Sequence, residues 1–87
     1  MTFEILYDRQ PGVFLEKIDN HLSKRIIDKL ENTLKNNPVP SNAKTIVGEH
    51  GVFRLRIGDF RVLYRINYSD NKIIVFKIDK RSRVYDM

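Results

Sequence analysis

Residues 53–66 read FRLRIGDFRVLYRI, and the fold turns on how this stretch is read. Apolar and basic residues alternate on both sides of Gly58-Asp59. The pattern predicts two strands joined by a two-residue turn, with Gly in the first loop position as a type II′ hairpin requires. Such a turn sets a register in which Ile57 pairs with Phe60, Leu55 with Val62 and Phe53 with Tyr64. One face is then a run of apolar cross-strand pairs and belongs in the core. The other face carries Arg54, Arg56, Arg61 and Arg65, with Arg56 directly opposite Arg61. Like charges so placed repel, and a bound anion relieves the repulsion. The basic face is therefore the leading candidate for a phosphate-binding site, above all on nucleic acid. The alternation alone also fits the solvated outer face of a sheet, where Arg is common.

Working outward from the hairpin, the charge is unevenly spread. Residues 1–43 hold six Lys/Arg against six acids, whereas residues 44–87 hold ten against five, so the whole net charge of +5 lies in the second half. An anionic partner meeting the sheet side follows from that asymmetry. Upstream, residues 2–7 alternate as a first strand. Asp8 then offers a helix N-cap, and Pro11 falls in the first turn, where its missing N–H does little harm. Val13, Phe14, Leu15 and Ile18 give a short helix an apolar side, which Asp19-Asn20 breaks. Over residues 21–36 the stripe Leu22, Ile26, Ile27, Leu30 and Leu34 predicts a second, amphipathic helix. Two helices so close in sequence form a helical hairpin that lays its apolar side on the sheet.

Residues 36–42, NNPVPSN, end the second helix. Thr45-Ile46-Val47 is a candidate brief strand, and Glu49-His50-Gly51 reads as a loop. Downstream, residues 68–71 turn the chain into a strand over 72–78 that is apolar on both faces, as strands in the middle of a sheet are. The expected fold class is α+β: an N-terminal strand and helical hairpin packed on one face of a mostly antiparallel sheet.

Eighty-seven residues suffice for one small domain with one core, spanning residues 1–87. With no cysteine, neither disulfides nor thiolate metal sites are expected. No basic n-region precedes a long apolar run, and no window is long enough to span a bilayer, so the chain reads as cytosolic. His21 and His50 are isolated, and Asp59, Asp79 and Glu49 show no pairing partner. A two-metal nuclease or a glycosidase is accordingly not expected, and neither is any cofactor. What remains is a set of cations with one phenol nearby: Lys44, Arg54, Arg56, Arg61, Lys80, Arg81, Arg83 and Tyr85, with Arg65 on the same strand face. Such a set can bind phosphate, stabilise charge on a phosphorane and stack a base. A basic tail with one Tyr is equally a plain solvated terminus.

A strand, a helical hairpin, a Pro-bearing loop, then RLRIGDFRVLYRI and a closing KIDKRSRVY together resemble the RelE/ParE superfamily of toxins, its RelE branch more closely. The resemblance covers nearly the whole chain. It implies a metal-free endoribonuclease that cuts mRNA in the ribosomal A site and is silenced by a RelB-type antitoxin, with oligomers formed through that antitoxin. By position, Arg61 resembles the arginine that holds the scissile phosphate. Arg81 resembles the arginine credited with transition-state charge or proton donation, and Tyr85 the aromatic that stacks on the mRNA base. Arg54 and Arg56 stand where relatives carry lysines. Arginine keeps its proton where lysine can release it, so the resemblance leaves the general base open among Tyr85, Lys80 and Lys44. The alternative is a ParE-like DNA gyrase inhibitor on the same fold with no nuclease activity.

Overall fold

The structure, a computed structural model, describes residues 2–46 and 48–80, residue 49 by its backbone alone. The chain runs β1 (Glu4–Tyr7), α1 (Arg9–Lys17), α2 (Asn20–Leu34), β2 (Lys44–Ile46), β3 (Glu49–Ile57), β4 (Phe60–Asn67) and β5 (Lys72–Lys80). Gly58 takes φ +58° while Asp59 keeps a negative φ, the combination that distinguishes type II′ from type I′. Around this turn β3 and β4 pair antiparallel in the expected register, Ile57 opposite Phe60, Leu55 opposite Val62, Phe53 opposite Tyr64 and Arg56 opposite Arg61.

The five strands form one sheet in the order β1-β5-β4-β3-β2, antiparallel except where β1 runs parallel to β5. Both helices pack on one face, giving the α+β architecture expected. Ile26, Leu30 and Leu34 from α2 and Leu15 from α1 are buried against Leu55, Val62, Tyr64, Ile73, Val75 and Ile78. Phe53 and Ile57 pack at the rim of this core, half-buried. Among the described residues no polar or charged residue is buried. The hydroxyl of the buried Tyr64 donates to the Pro38 carbonyl at 2.7 Å. That bond ties the Pro-bearing loop to the middle of the sheet.

Ile18, in extended conformation, ends α1, and Asp19 caps α2: its Oδ2 accepts from the backbone N–H of His21 at 3.0 Å and of Leu22 at 3.2 Å. Asp8 caps α1 through the Arg9 N–H at 2.9 Å. Beyond α2, the Lys35 carbonyl accepts from the Phe3 N–H at 2.8 Å and anchors the chain just ahead of β1.

Two features depart from the sequence reading. Glu49-His50-Gly51 opens β3 and is not a loop. The irregular register between Thr45 and Ile46 accommodates these residues, with Gly48 at φ +83° and Gly51 at φ +74° providing backbone conformations that few other residues adopt. A second bulge lies in β5, where Tyr64 is opposite Val75 and Leu63 opposite Lys77, so Phe76 is the extra residue. β5 does lie inside the sheet, between β1 and β4, but β1 covers only Lys72 to Val75. Past that point a side chain completes the ladder. The Gln10 amide donates from Nε2 to the Ile78 carbonyl and accepts the Ile78 N–H on Oε1, both at 2.9 Å. Two part-buried backbone groups are thereby satisfied by the first turn of α1.

Candidate functional site

The face of the sheet turned away from the helices carries the basic residues. Because side chains alternate along a strand and Leu55, Phe60 and Val62 point to the core, Arg54, Arg56 and Arg61 point outward together. Arg56 and Arg61 form a directly opposed pair next to the hairpin turn. Two residues further from the turn, Arg54 lies opposite Lys44 of the edge strand β2. The short β2 thus adds an ammonium group beside the three guanidinium groups. Asn42, Lys44, Arg54 and Arg56 line a cavity of about 370 Å³, ample room for a phosphodiester.

Partial burial, reinforced by the charges of Arg54 and Arg56, pulls the Arg61 guanidinium below the usual arginine range. It stays protonated at neutral pH all the same, as arginine does. On its other side Arg61 faces Asp79 of β5, yet the Asp79 carboxylate is engaged elsewhere, with its Oδ2 3.5 Å from Lys77 Nζ. Asp79 therefore does have a partner, contrary to the sequence reading.

The other expected site residues are dispersed. The Arg65 guanidinium lies 4.7 Å from the centroid of the Phe76 ring, a cation–π contact that also shields the bulged aromatic. Lys80 is opposite Phe60 and lines a different cavity on the helix side of the sheet. Of the three base candidates, Lys44 alone stands among the outward guanidinium groups of the described residues. Arg81, Arg83 and Tyr85 lie outside the described residues. The sequence pattern marks Asn42 only as part of a helix-ending loop. Its place just ahead of β2, an amide able both to donate and to accept, was the available signal. The phenols of the described core stand apart: burial, with Glu31 adding to it, pushes Tyr7 up to about 12. Burial and the nearby Tyr68 hold Tyr64 higher still.

Residues 14–85 match the family described as ParE toxin of type II toxin–antitoxin system, parDE. Over 60 residues the chain is 42% identical to the protein named RelE1 of Methanocaldococcus jannaschii, covering 66% of this chain and 67% of that one. The chain belongs to the RelE branch of the RelE/ParE toxin family. This RelE-type toxin also superimposes on the archaeal RelE–RelB complex of Pyrococcus horikoshii with a TM-score of 0.78 and 26% identity, over 95% of this chain and 99% of that one. The RelBE2 toxin–antitoxin complex of Mycobacterium tuberculosis shares the fold, with a TM-score of 0.82 at 20% identity over 94% of each chain.

Proposed function

We propose that this RelE-type toxin is a ribosome-dependent mRNA endonuclease, acting in the cytoplasm, cutting in the ribosomal A site without a metal and silenced by a RelB-type antitoxin. The observation that carries the reading is the opposed Arg56–Arg61 pair with Arg54 and Lys44 beside it. RNA brings its own nucleophile. The 2′-oxygen bonds to the adjacent phosphorus as the bond from phosphorus to the 5′-oxygen breaks, leaving a 2′,3′-cyclic phosphate and a 5′-hydroxyl. One proton leaves the 2′-hydroxyl and one reaches the departing oxygen. Negative charge builds on the non-bridging oxygens in between, and fixed cations that meet it there lower the barrier.

In this scheme Arg61 holds the scissile phosphate, with Arg54 and Arg56 contributing charge and Lys44 and Arg65 binding RNA alongside. Arg81 serves the leaving oxygen, Tyr85 stacks the base, and Lys80 and Arg83 bind flanking backbone. Lys44 or Tyr85 takes the 2′-proton. A site so rich in arginine has little means of splaying free RNA for in-line attack, so the ribosome supplies that geometry. Primer extension on mRNA from a translation extract tests the proposal. Breaks phased with codons support it, and intact message refutes it. The family match to ParE toxins favours a second reading, a gyrase inhibitor without nuclease activity, which predicts blocked replication with message intact.

A further inference from the structure

A second group of cations gathers at the same end of the sheet, on the opposite side. Between α2 and the β3–β4 turn lies a cavity of about 500 Å³, lined by Arg25 and Lys29 of α2, Lys80 of β5, and the apolar side chains of Leu22 and Ile57. Arg25 and Lys29 stand one helical turn apart on the same exposed face, a like-charge spacing that works against the helix. Asp59 also lines the cavity, but among the described residues it makes no ion pair with any of the three cations. The cavity falls within the roughly 300–1,000 Å³ of sites that enclose small ligands, so a nucleotide fits.

The two cationic groups are continuous around the turn. Ile57, Phe60 and Lys80 form the row of the sheet next to Arg56, Arg61 and Asp79, so crossing one residue of strand leads from one group to the other. A polyanion with a charge at every unit can follow such a surface over both faces. An acidic helix presents charge along one side only. We propose that the α2–turn cavity is a second RNA site, holding a phosphodiester on Arg25, Lys29 and Lys80 with the sugar or base against Leu22 and Ile57. The sheet end is thus a wedge gripping RNA backbone on both sides. The inference rests on reading this toxin as acting on RNA, but its test reads binding and not cleavage.

The experiment uses the full chain and the double variant Arg25→Gln/Lys29→Gln, both positions being exposed. Binding of a fluorescein-labelled single-stranded RNA is followed by anisotropy over a series of KCl concentrations. Each phosphate neutralised on a single strand contributes about 0.7 to the slope of log K against log salt, so the double variant, which gives up one phosphodiester, should lose about 0.7. Arg25→Lys/Lys29→Arg should keep the parental slope. Affinity for a RelB-type antitoxin should be unchanged in both. An unchanged RNA slope overturns the proposal, as does a loss of antitoxin affinity with RNA binding intact, which would assign the cavity to an acidic protein segment. If Arg61→Gln still cleaves on the ribosome while the double variant loses its slope, the nuclease assignment around Arg61 fails and this site stands.

Discussion

Replacing Arg61 by Gln should stabilise the fold, and by an amount that depends on salt. Arg61 lies opposite Arg56, with Arg54 on the diagonal, and both neighbouring charges act to disfavour its own. Taking about 6 Å for the direct pair and about 8 Å for the diagonal, in a water-like dielectric, the repulsion removed is about 1 kcal/mol at ~0.01 M ionic strength. Screening at ~0.15 M cuts it to about 0.5 kcal/mol. The attraction of Asp79 for Arg61 is largely offset by Lys77 at 3.5 Å from that carboxylate. Loss of the arginine stem subtracts a packing contribution, but by the same amount at both salts. The diagnostic quantity is therefore the difference, about 0.5 kcal/mol between the two ionic strengths. Urea, being uncharged, is the denaturant to use, with parent and variant unfolded at both salts and equal m-values required. Added inorganic phosphate should raise the stability of the parent and have less effect on the variant. If the stability difference does not change with salt, or grows as salt is added, Arg61 is not held in a repulsive cluster and the anion-site argument falls with it.

In cells, Arg61→Ala and Arg81→Ala should each lower mRNA cleavage about a hundredfold or more with the far-UV circular dichroism unchanged; full toxicity in both refutes the site. Gln10→Ala leaves the part-buried N–H and C=O of Ile78 without their 2.9 Å partners and should destabilise the domain by about 2–4 kcal/mol, read as a lower urea midpoint. A loss below ~0.5 kcal/mol would mean that water replaces the amide. Gly58→Ala should cost about 1–2 kcal/mol, from backbone strain alone, since nothing lies within 4 Å of an added Cβ at φ +58°. Alkali should unfold the protein through its phenols. Tyr7, at about 12, and Tyr64 both have folded pKa values above the ordinary 10.0. Their contribution is full below pH 10.0 and is lost as pH rises from there towards 12, at about 1.4 kcal/mol per pH unit for each. Tyr64→Phe should halve that slope in urea titrations above pH 10.0, and an unchanged slope would show that its phenol ionises without unfolding.

Much of this was legible in the chain because it is local. A two-residue turn leaves one register for its strands, so FRLRIGDFRVLYRI by itself determines that Arg56 faces Arg61 and that Leu55, Phe60 and Val62 go inward. The stripe of α2 and the cap residues Asp8 and Asp19 are likewise readable, since each acts within one helical turn. Other features depend on residues far apart in sequence. The parallel docking of β1 on β5, the Gln10 amide reaching Ile78 across 68 positions and the Tyr64 hydroxyl reaching Pro38 have no periodicity to announce them. The placement of Lys80 shows the reason most clearly. Counting by twos from the buried Ile73 and Val75 would put Lys77 and Asp79 on the helix side of β5. The bulge at Phe76 inserts one residue and reverses the count, so Ile78 enters the core, Asp79 turns out beside Arg61, and Lys80 joins α2 on the far face. Alternation tells which residues share a face only as long as the ladder is unbroken. Whether it breaks is decided by how β5 packs against β4 and under Arg65, which the tertiary structure alone determines.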